Sequence, residues 1–594
     1  MNHQFLVDKM KAVCNYKDDL SIVPYECDSL EVESEDGIVR IGYSSISDFC
    51  RGMCLLIMHL RKGETTFSIK QTHNFERAGF MIDVSYDGVM SVEGLKQYID
   101  YMASAGLNML MLYTEDTYEV KKYPQMGYLR GRYSQEELRE IDQYANEMGV
   151  ELIGCIQTLG HLEHIVKWND FSDITENETL ILPGEERTYE FIEECIKTIS
   201  ENISSRHIHV GLDEAFGLGE GKYKIKHGKC DPLEIYAKHV KRVYDICVKY
   251  GLRPMMWSDC FFRFSMRETG YGIQYSATEP ISSEILKLVP EHMDMVYWEY
   301  EEKDKNVYRD IINAHKVFSG ETVMATACWN WDGQLPRLNH AFATQGAALE
   351  AAKECGVKTI LSTDWQCGGA VADYLFTLPS VIFYGQHRYG DDISRDAIAD
   401  LLKNNTGMEL SAIEEMNIYH SDEYLQFYGG EKYFCCSTLV NTVGIPEGNP
   451  ADEFACAAKH LRSYHSERWG MHYHFAALIM EIAATKCEIY NRLRKAYLES
   501  DRAYLEKLVH VVLPQLAETY KEALAIRKEL WFRVQKPFSF DKTVRDYGGC
   551  IADVEYTKER IQDYLIGKTS CIEELDELVL PLKKASSVVN YRMI

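Results

Sequence analysis

Arg206-His207-Ile208-His209-Val210-Gly211-Leu212-Asp213-Glu214-Ala215 decides how the rest of the chain is read. His207 to Val210 has the alternating character of a short buried strand. Gly211 lets the backbone leave that strand, and two adjacent carboxylates stand where it ends. Adjacent acids repel, and desolvating either one is costly. A helix N-cap explains one acid at such a place. A pair at a strand tip points to chemistry that needs both.

Outward from that strand the same rhythm repeats between residues 73 and 390. Strands are expected at Gly79–Val84, Asn108–Leu112, Val150–Ile156, His207–Val210, Arg253–Trp257, Met293–Trp298, Thr322–Ala327 and Val357–Leu361. Helical periods such as Val92–Ala105, Gln135–Met148, Thr188–Ser200, Leu233–Tyr250, Asn306–Phe318 and Leu338–Cys355 separate them. Eight such units predict an α/β fold, a (β/α)8 TIM barrel. A doubly wound sheet is the alternative, and the missing GxGxxG fingerprint counts against it. Residues 1–72 read as a small α/β domain, with strands at Gly37–Tyr43 and Thr65–Ile69 and a helix opening at Ser47. Residues 391–594 read as mainly helical, with runs at Phe475–Tyr497, Arg502–Arg527 and Val554–Leu565 and breaks at Pro537 and Gly548-Gly549.

The net charge of −27 argues against nucleic acid or an anionic membrane surface as partner. Met1-Asn2-His3-Gln4-Phe5 lacks the basic start of a signal peptide, and no window has the length and apolarity of a spanning helix. The 18 cysteines have no framework spacing, so reduced thiols in a cytoplasmic protein are expected. Cys435-Cys436 lacks a second ligand pair, so neither a metal site nor a cofactor is expected.

In such a barrel the chemistry sits where the strands end. Tyr113-Thr114-Glu115-Asp116 follows the second strand, Gln157-Thr158-Leu159-Gly160-His161 the third, and Asp213-Glu214 the fourth. The last four end in Trp257-Ser258-Asp259, Trp298-Glu299-Tyr300, Trp329-Asn330-Trp331 and Thr363-Asp364-Trp365. One tryptophan is ordinary core packing. Five of eight at matching positions suggest aromatic walls for sugar rings. Glu115 or Asp116 is positioned to orient His161, and His161 to support Glu214 as a general acid.

These stretches resemble glycoside hydrolase family 20, the β-N-acetylhexosaminidases. His209-Val210-Gly211-Leu212-Asp213-Glu214 is similar to the family's strand-four signature. Gly79–Ser85, Leu112–Glu119 and Cys155–His161 look like its first three strands. Gly217-Leu218-Gly219, Lys222-Tyr223 and Lys536-Pro537-Phe538-Ser539-Phe540 are similar to a cytoplasmic subgroup with a helical C-terminal domain. The resemblance implies exo-acting, substrate-assisted retention, an exception to the two-carboxylate scheme. The sugar's 2-acetamido oxygen then attacks the anomeric carbon, Glu214 acts as acid and then base, and Asp213 holds the acetamido N–H. It further implies that Trp298, Trp329 and Trp365 wall the acetamido pocket with Trp257 and Trp331, and that Tyr300 positions the acetamido oxygen. The substrate implied is an oligosaccharide or glycoconjugate ending in β-N-acetylhexosamine, and a homodimer is compatible with this.

Two positions depart from the family pattern. The arginine that many relatives carry on the first strand aligns with Ala78, and Arg77, one residue away, is the candidate through a one-residue bulge. The acid usually found shortly after the strand-eight tryptophan is absent, and the next carboxylate after Trp365 is Asp373. Two other readings remain open. A retaining β-glycosidase would use a second carboxylate such as Glu299 as nucleophile, and a non-catalytic barrel would only bind sugars.

Overall fold

The computed structural model describes residues 1–266, 274–279, 281–331, 333–366, 372–390, 392–420, 431–440 and 450–578. Eight parallel strands close a barrel: β5 (Arg77–Asp83), β6 (Met109–Tyr113), β7 (Glu151–Cys155), β8 (His207–His209), β9 (Arg253–Trp257), β10 (Asp294–Trp298), β11 (Thr322–Ala327) and β12 (Thr359–Asp364). Each coincides with an expected strand. Most of their residues are buried, because helices cover the outside while side chains fill the inside. All five residues of β6, Met109-Leu110-Met111-Leu112-Tyr113, are buried. Met81, Met111, Ile153, Met255, Val296, Val323 and Leu361 meet inside, where unbranched methionines fill an irregular space.

Charged residues stitch the opposite end of the barrel, where the strands begin. Arg77 lies 3.2 Å from Glu321, and Arg253 lies 2.8 Å from Asp294 and 3.4 Å from Glu321. Arg77 Nη1 also donates to His207 Nε2 at 2.9 Å. His207 Nδ1 lies 2.7 Å from Glu151.

Before the barrel lies a four-stranded sheet in the order β1 (Ile22–Glu26), β3 (Ile38–Tyr43), β2 (Leu30–Glu35), β4 (Phe67–Gln71). The sequence names only two of these strands. In β2, Leu-Glu-Val-Glu-Ser-Glu does alternate buried with more exposed positions, as a one-sided strand should.

By contacts the chain forms two compact units: Met1–Cys328 with His340–Trp365 and Thr377–Thr406, and Trp329–Asn339 with Gln366–Phe376 and Gly407–Ile594. In the second unit helices Pro450–Ser463, Gly470–Leu498, Leu513–Val534 and Phe540–Leu565 predominate. The expected helix at Arg502–Arg527 is interrupted by a π-helical turn, Leu508–Val512. Pro514 starts the next segment there, where its missing N–H cannot close the usual bond. Gly548-Gly549 does not break its helix as expected. Tyr547, Cys550 and Val554 are buried on one face, and that packing outweighs glycine's cost of about 1 kcal/mol per residue.

Candidate active site

β8 has only three residues, so the chain leaves it deep in the barrel mouth. Gly211, Leu212 and Glu214 then take φ values of 72°, 73° and 46°. A Cβ on Gly211 would stand 1.9 Å from Gln157 Oε1, so glycine is required both for the turn and for the approach of Gln157. Glu115 (φ 43°) and His161 (φ 52°) are also left-handed, at the ends of β6 and β7. Such strain persists where surrounding structure over-determines the backbone, and here it marks three neighbouring strand ends.

The carboxylates of Asp213 and Glu214 have different surroundings. Gln157 Nε2 donates to Asp213 Oδ1 at 2.9 Å, and His161 Nε2 lies 3.2 Å from Asp213 Oδ2. His161 is farther from Glu214, at 3.7 Å. Gln157 Nε2 also donates to Tyr113 Oη at 3.0 Å, and Tyr113 donates to Glu115 at 3.0 Å. A hydrogen-bonded chain therefore runs from Glu115 through Tyr113 and Gln157 to Asp213. The Glu214 backbone N–H donates to Asp259 Oδ2 at 3.2 Å. The Glu214 side chain is 26% exposed and that of Asp213 11%, so Glu214 is the more open of the pair.

These surroundings separate the proton affinities. Burial opposes charge on His161, but Asp213, then Glu115 and Glu214, outweigh it and push the imidazole up to about 10. Burial also opposes charge on Asp213, yet the His161 cation and the Gln157 amide hold its carboxyl below the usual range. Burial and the Asp213 charge push Glu214 up. Burial, then Asp213, pushes Asp259 up to about 7. The two adjacent carboxyls are thus shifted in opposite directions, Asp213 down and Glu214 up.

Aromatic rings cluster in the same mouth. Trp365 Nε1 donates to Tyr300 Oη at 3.1 Å, and the Trp365 ring meets Tyr113 edge-on at 4.9 Å. Trp298 lies against Tyr300 at 5.3 Å. Trp257 is only 1% exposed and packs on His209 at 4.5 Å and Trp365 at 6.1 Å, so it is a floor inside the barrel rather than a wall.

Two sequence candidates, Asp116 and Arg77, are placed elsewhere. Asp116 turns away from His161 and pairs with Arg130 at 3.0 Å. His161 stands nearer Asp213 than Glu214, so the expected support of the acid is first a support of its neighbour. Arg77 is the first residue of β5 and pairs at the barrel end opposite the strand tips, which removes it from the site. Trp329 and Trp331 stack on each other at 4.5 Å within the second compact unit, with Arg337 over Trp329 at 4.9 Å. Of the strand-eight turn, residues 367–371 lie outside the described residues. Gln157, Tyr113 and Asp259 were not singled out, although each stands at or just after a strand end. Among the described residues no group of three or more His, Cys, Asp or Glu is arranged to hold a metal ion, and no helix is long and apolar enough to cross a membrane.

Residues 75–318, which include Glu115, His161, Asp213, Glu214 and Asp259, match the model of the glycosyl hydrolase family 20 catalytic domain. Residues 447–593 match the Glycoside Hydrolase 20C C-terminal domain. The chain belongs to glycoside hydrolase family 20. A beta-hexosaminidase of Porphyromonas gingivalis is 26% identical over 231 residues, 32% of this chain and 29% of that protein. Hexosaminidase D of Bos taurus is 24% identical over 179 residues (28% of this chain, 50% of that one), and that of Homo sapiens 26% over 206 (33% and 40%). The matches thus span half or less of these curated relatives. The family 20 fold also superimposes on a GH20 exo beta-N-acetylglucosaminidase from Vibrio harveyi in complex with N-acetylglucosamine, with a TM-score of 0.52, 16% identity and coverage of 70% of this chain and 73% of that one. A mutant Streptomyces plicatus beta-hexosaminidase in complex with its product has a TM-score of 0.52, 15% identity and coverage of 68% and 89%.

Proposed function

We propose that this chain is an exo-acting retaining β-N-acetylhexosaminidase that releases terminal non-reducing N-acetylglucosamine or N-acetylgalactosamine by substrate-assisted catalysis. The observation that carries this reading is the adjacent pair in opposed surroundings: His161 and Gln157 contact Asp213 and lower its proton affinity, while burial and the Asp213 charge raise that of Glu214, the more open of the two. In the first step the acetamido oxygen forms a bond to the anomeric carbon as the glycosidic C–O bond breaks, and the leaving oxygen takes the Glu214 proton. Asp213 accepts the acetamido N–H and offsets the positive charge that grows on the oxazolinium ring. In the second step the Glu214 carboxylate takes a proton from water, whose oxygen attacks the same carbon and reopens the ring with net retention. The rings of Trp298, Trp365 and Tyr300 supply apolar faces for the sugar and its acetyl methyl.

The reading with an enzyme nucleophile relies on Glu299. Its Oε1 accepts the backbone N–H groups of Tyr300 and Glu301, both at 2.8 Å, so its carboxylate is committed to its own loop. A cytoplasmic setting is supported by the cysteines, every described one being a free thiol. The test is kcat/KM on a panel of aryl β-glycosides, with and without fluorine on the acetyl methyl. Fluorine weakens the acetamido oxygen as a nucleophile, so the rate should fall with each atom added. Equal rates across that series, or faster cleavage of a plain β-glucoside, would sink the proposal.

A further inference from the structure

Glu214 sits in a stretch without regular structure, between the end of β8 and the short helix Lys222–His227. No ladder fixes such a stretch, and its buried backbone N–H groups need partners from elsewhere. Those partners come from the β7 loop, where the Glu176 side chain is buried, the residue being 4% exposed. Glu176 Oε1 accepts the backbone N–H of Gly219 at 3.1 Å and of Gly221 at 2.9 Å, and Oε2 accepts that of Tyr223 at 2.6 Å. The Glu176 carbonyl accepts the Lys222 N–H at 3.2 Å. A Cβ on Gly221 would stand 2.2 Å from that carbonyl oxygen, so glycine is what lets the two backbones meet. The next residue, Asn177, donates from Nδ2 to the Phe216 carbonyl at 3.3 Å, and the Phe216 N–H donates to the Glu214 carbonyl at 2.5 Å. Two adjacent side chains of one loop thus hold the other from Phe216 to Tyr223.

The holding side is itself anchored beside Asp213. Glu176 and Asn177 lie in a narrow hairpin, in which Thr175 bridges Ile181 and the Glu176 N–H donates to the Leu180 carbonyl at 2.9 Å. That hairpin is fastened to the stretch around His161: the Ile181 N–H donates to the Leu159 carbonyl and the Leu162 N–H to the Thr179 carbonyl, both at 3.0 Å. In the same stretch, a Cβ on Gly160 would lie 3.2 Å from the Asp213 carbonyl oxygen. On the other flank the Glu214 N–H reaches Asp259, and Arg263, one turn along the same helix, lies over the Phe216 ring at 4.6 Å. The loop that carries the acid is therefore gripped from the β7 side and from the β9 side, the two neighbours of β8 in the barrel. The grip by Glu176 is chemically specific. Hydrogen bonds to a carboxylate are about twice as strong as neutral ones. N–H donors occupy both of its oxygens, so a glutamine there would turn its NH2 group toward Tyr223 or toward the two glycines, donor against donor.

We propose that Glu176 is a positioning residue for the general acid: through Gly219, Gly221 and Tyr223 it fixes the loop that aims Glu214 at the leaving oxygen. This rests on the proposed glycosidase reading, in which Glu214 is the acid, and adds the residue that holds it in place. It also gives a task to Gly217-Leu218-Gly219 and Lys222-Tyr223, which lie along the gripped segment. Misplacing a reacting group by about 1 Å can cost about 10²-fold in rate, so a loop contact remote from the sugar reaches the chemistry.

The test compares Glu176→Gln and Gly221→Ala with the parent enzyme and with Glu214→Gln on two N-acetylglucosaminides, the phenyl and the 2,4-dinitrophenyl. Phenol leaves only with a proton, whereas dinitrophenolate leaves without one, and kcat/KM reads the step in which the glycosidic bond breaks. On the phenyl glycoside kcat/KM should fall at least about tenfold in each loop variant, and on the dinitrophenyl glycoside it should stay within about threefold. A loss of folded protein would lower both alike. In the Glu214→Gln background, adding Glu176→Gln should change kcat/KM on the phenyl glycoside by less than about twofold, because the group it positions is already gone. Gly221→Ala leaves the carboxylate in place and carries the same comparison if Glu176→Gln does not fold. Equal losses on the two glycosides, no loss on either, or an undiminished further loss in the Glu214→Gln background would overturn the role of Glu176. If Glu214→Gln itself loses as much on the dinitrophenyl as on the phenyl glycoside, or the parent cleaves neither, the glycosidase reading falls and this inference with it.

Discussion

Asp213 and Glu214 are neighbours in the chain, but their protons obey different surroundings. Loss of a general acid costs about 10²–10⁴-fold in rate, so Glu214→Gln is expected in that range, with least effect on substrates whose leaving groups need no proton. Asp213→Asn should depress kcat whatever the leaving group, because oxazolinium formation still lacks its partner. A series of aryl substrates of graded leaving-group pKa checks this, and equal sensitivity of the two variants contradicts it. Activity requires Asp213 charged and Glu214 protonated, so the rate profile is a bell whose acid limb follows Asp213 and whose alkaline limb follows Glu214. The His161 cation lowers both groups. Removing it raises both, so His161→Gln should move both limbs to higher pH; a changed KM with an unmoved profile would make His161 a substrate ligand. Asp259 gives a stability prediction of definite sign. Its folded pKa of about 7 stands above the ordinary 3.8, so over that interval the folded chain keeps a proton that the unfolded chain has lost. Its contribution to stability therefore falls as pH rises through that window, by up to about 1.4 kcal/mol per pH unit. Asn at this position still accepts the Glu214 N–H but cannot titrate. The urea midpoint of Asp259→Asn should accordingly depend less on pH between 4 and 7 than that of the parent, and identical slopes would contradict the assignment.

At the scale of the strand, position along the element decides role. Arg77 and Asp83 are the two ends of β5, and only the second end faces the chemistry. Arg77 instead joins Glu321 and His207 in the charged ring that closes the barrel base. Hydrogen bonds to charged groups contribute about 1.5–3 kcal/mol, so Arg77→Ala should lower stability by an amount of that order and leave kcat/KM within about twofold. Chemical denaturation and steady-state kinetics on one preparation check it, and a large rise in KM would return Arg77 to the site. Asp116 shows the same dependence on place. Adjacent to Glu115 in sequence, it points the other way along the loop and anchors the turn that carries Tyr128 and Leu129.

At the scale of the whole molecule, two strand-end segments, Trp329–Asn339 and Gln366–Phe376, belong by contacts to the unit that contains the C-terminal helices. Asp373, the first carboxylate after Trp365, is 1% exposed there and lies 3.4 Å from the equally buried Arg527 and 3.9 Å from His472. It is therefore committed inside that unit rather than offered to a sugar hydroxyl. Without a directional carboxylate for the C4 hydroxyl, discrimination between gluco and galacto substrates should stay within about tenfold, or about 1.4 kcal/mol. Comparing kcat/KM for the two aryl N-acetylhexosaminides decides it, and a preference above a hundredfold would contradict it.

The eight barrel strands and the position of Asp213-Glu214 at a strand tip were legible from sequence, because periodicity and a glycine exit are local properties that hold before the chain folds. The same local signal says which residues follow a strand, and it brought Glu115, His161, Trp298, Tyr300 and Trp365 onto one list. Only the tertiary structure decided what each does. His161 and Gln157, from another strand's loop, reach Asp213 more closely than Glu214 and lower its proton affinity, while burial and the Asp213 charge raise that of Glu214. Trp257 becomes a floor, Asp116 an anchor and Arg77 a clasp, each through partners remote in sequence. Charge and packing act through space, and adjacency in space is what a linear pattern cannot carry.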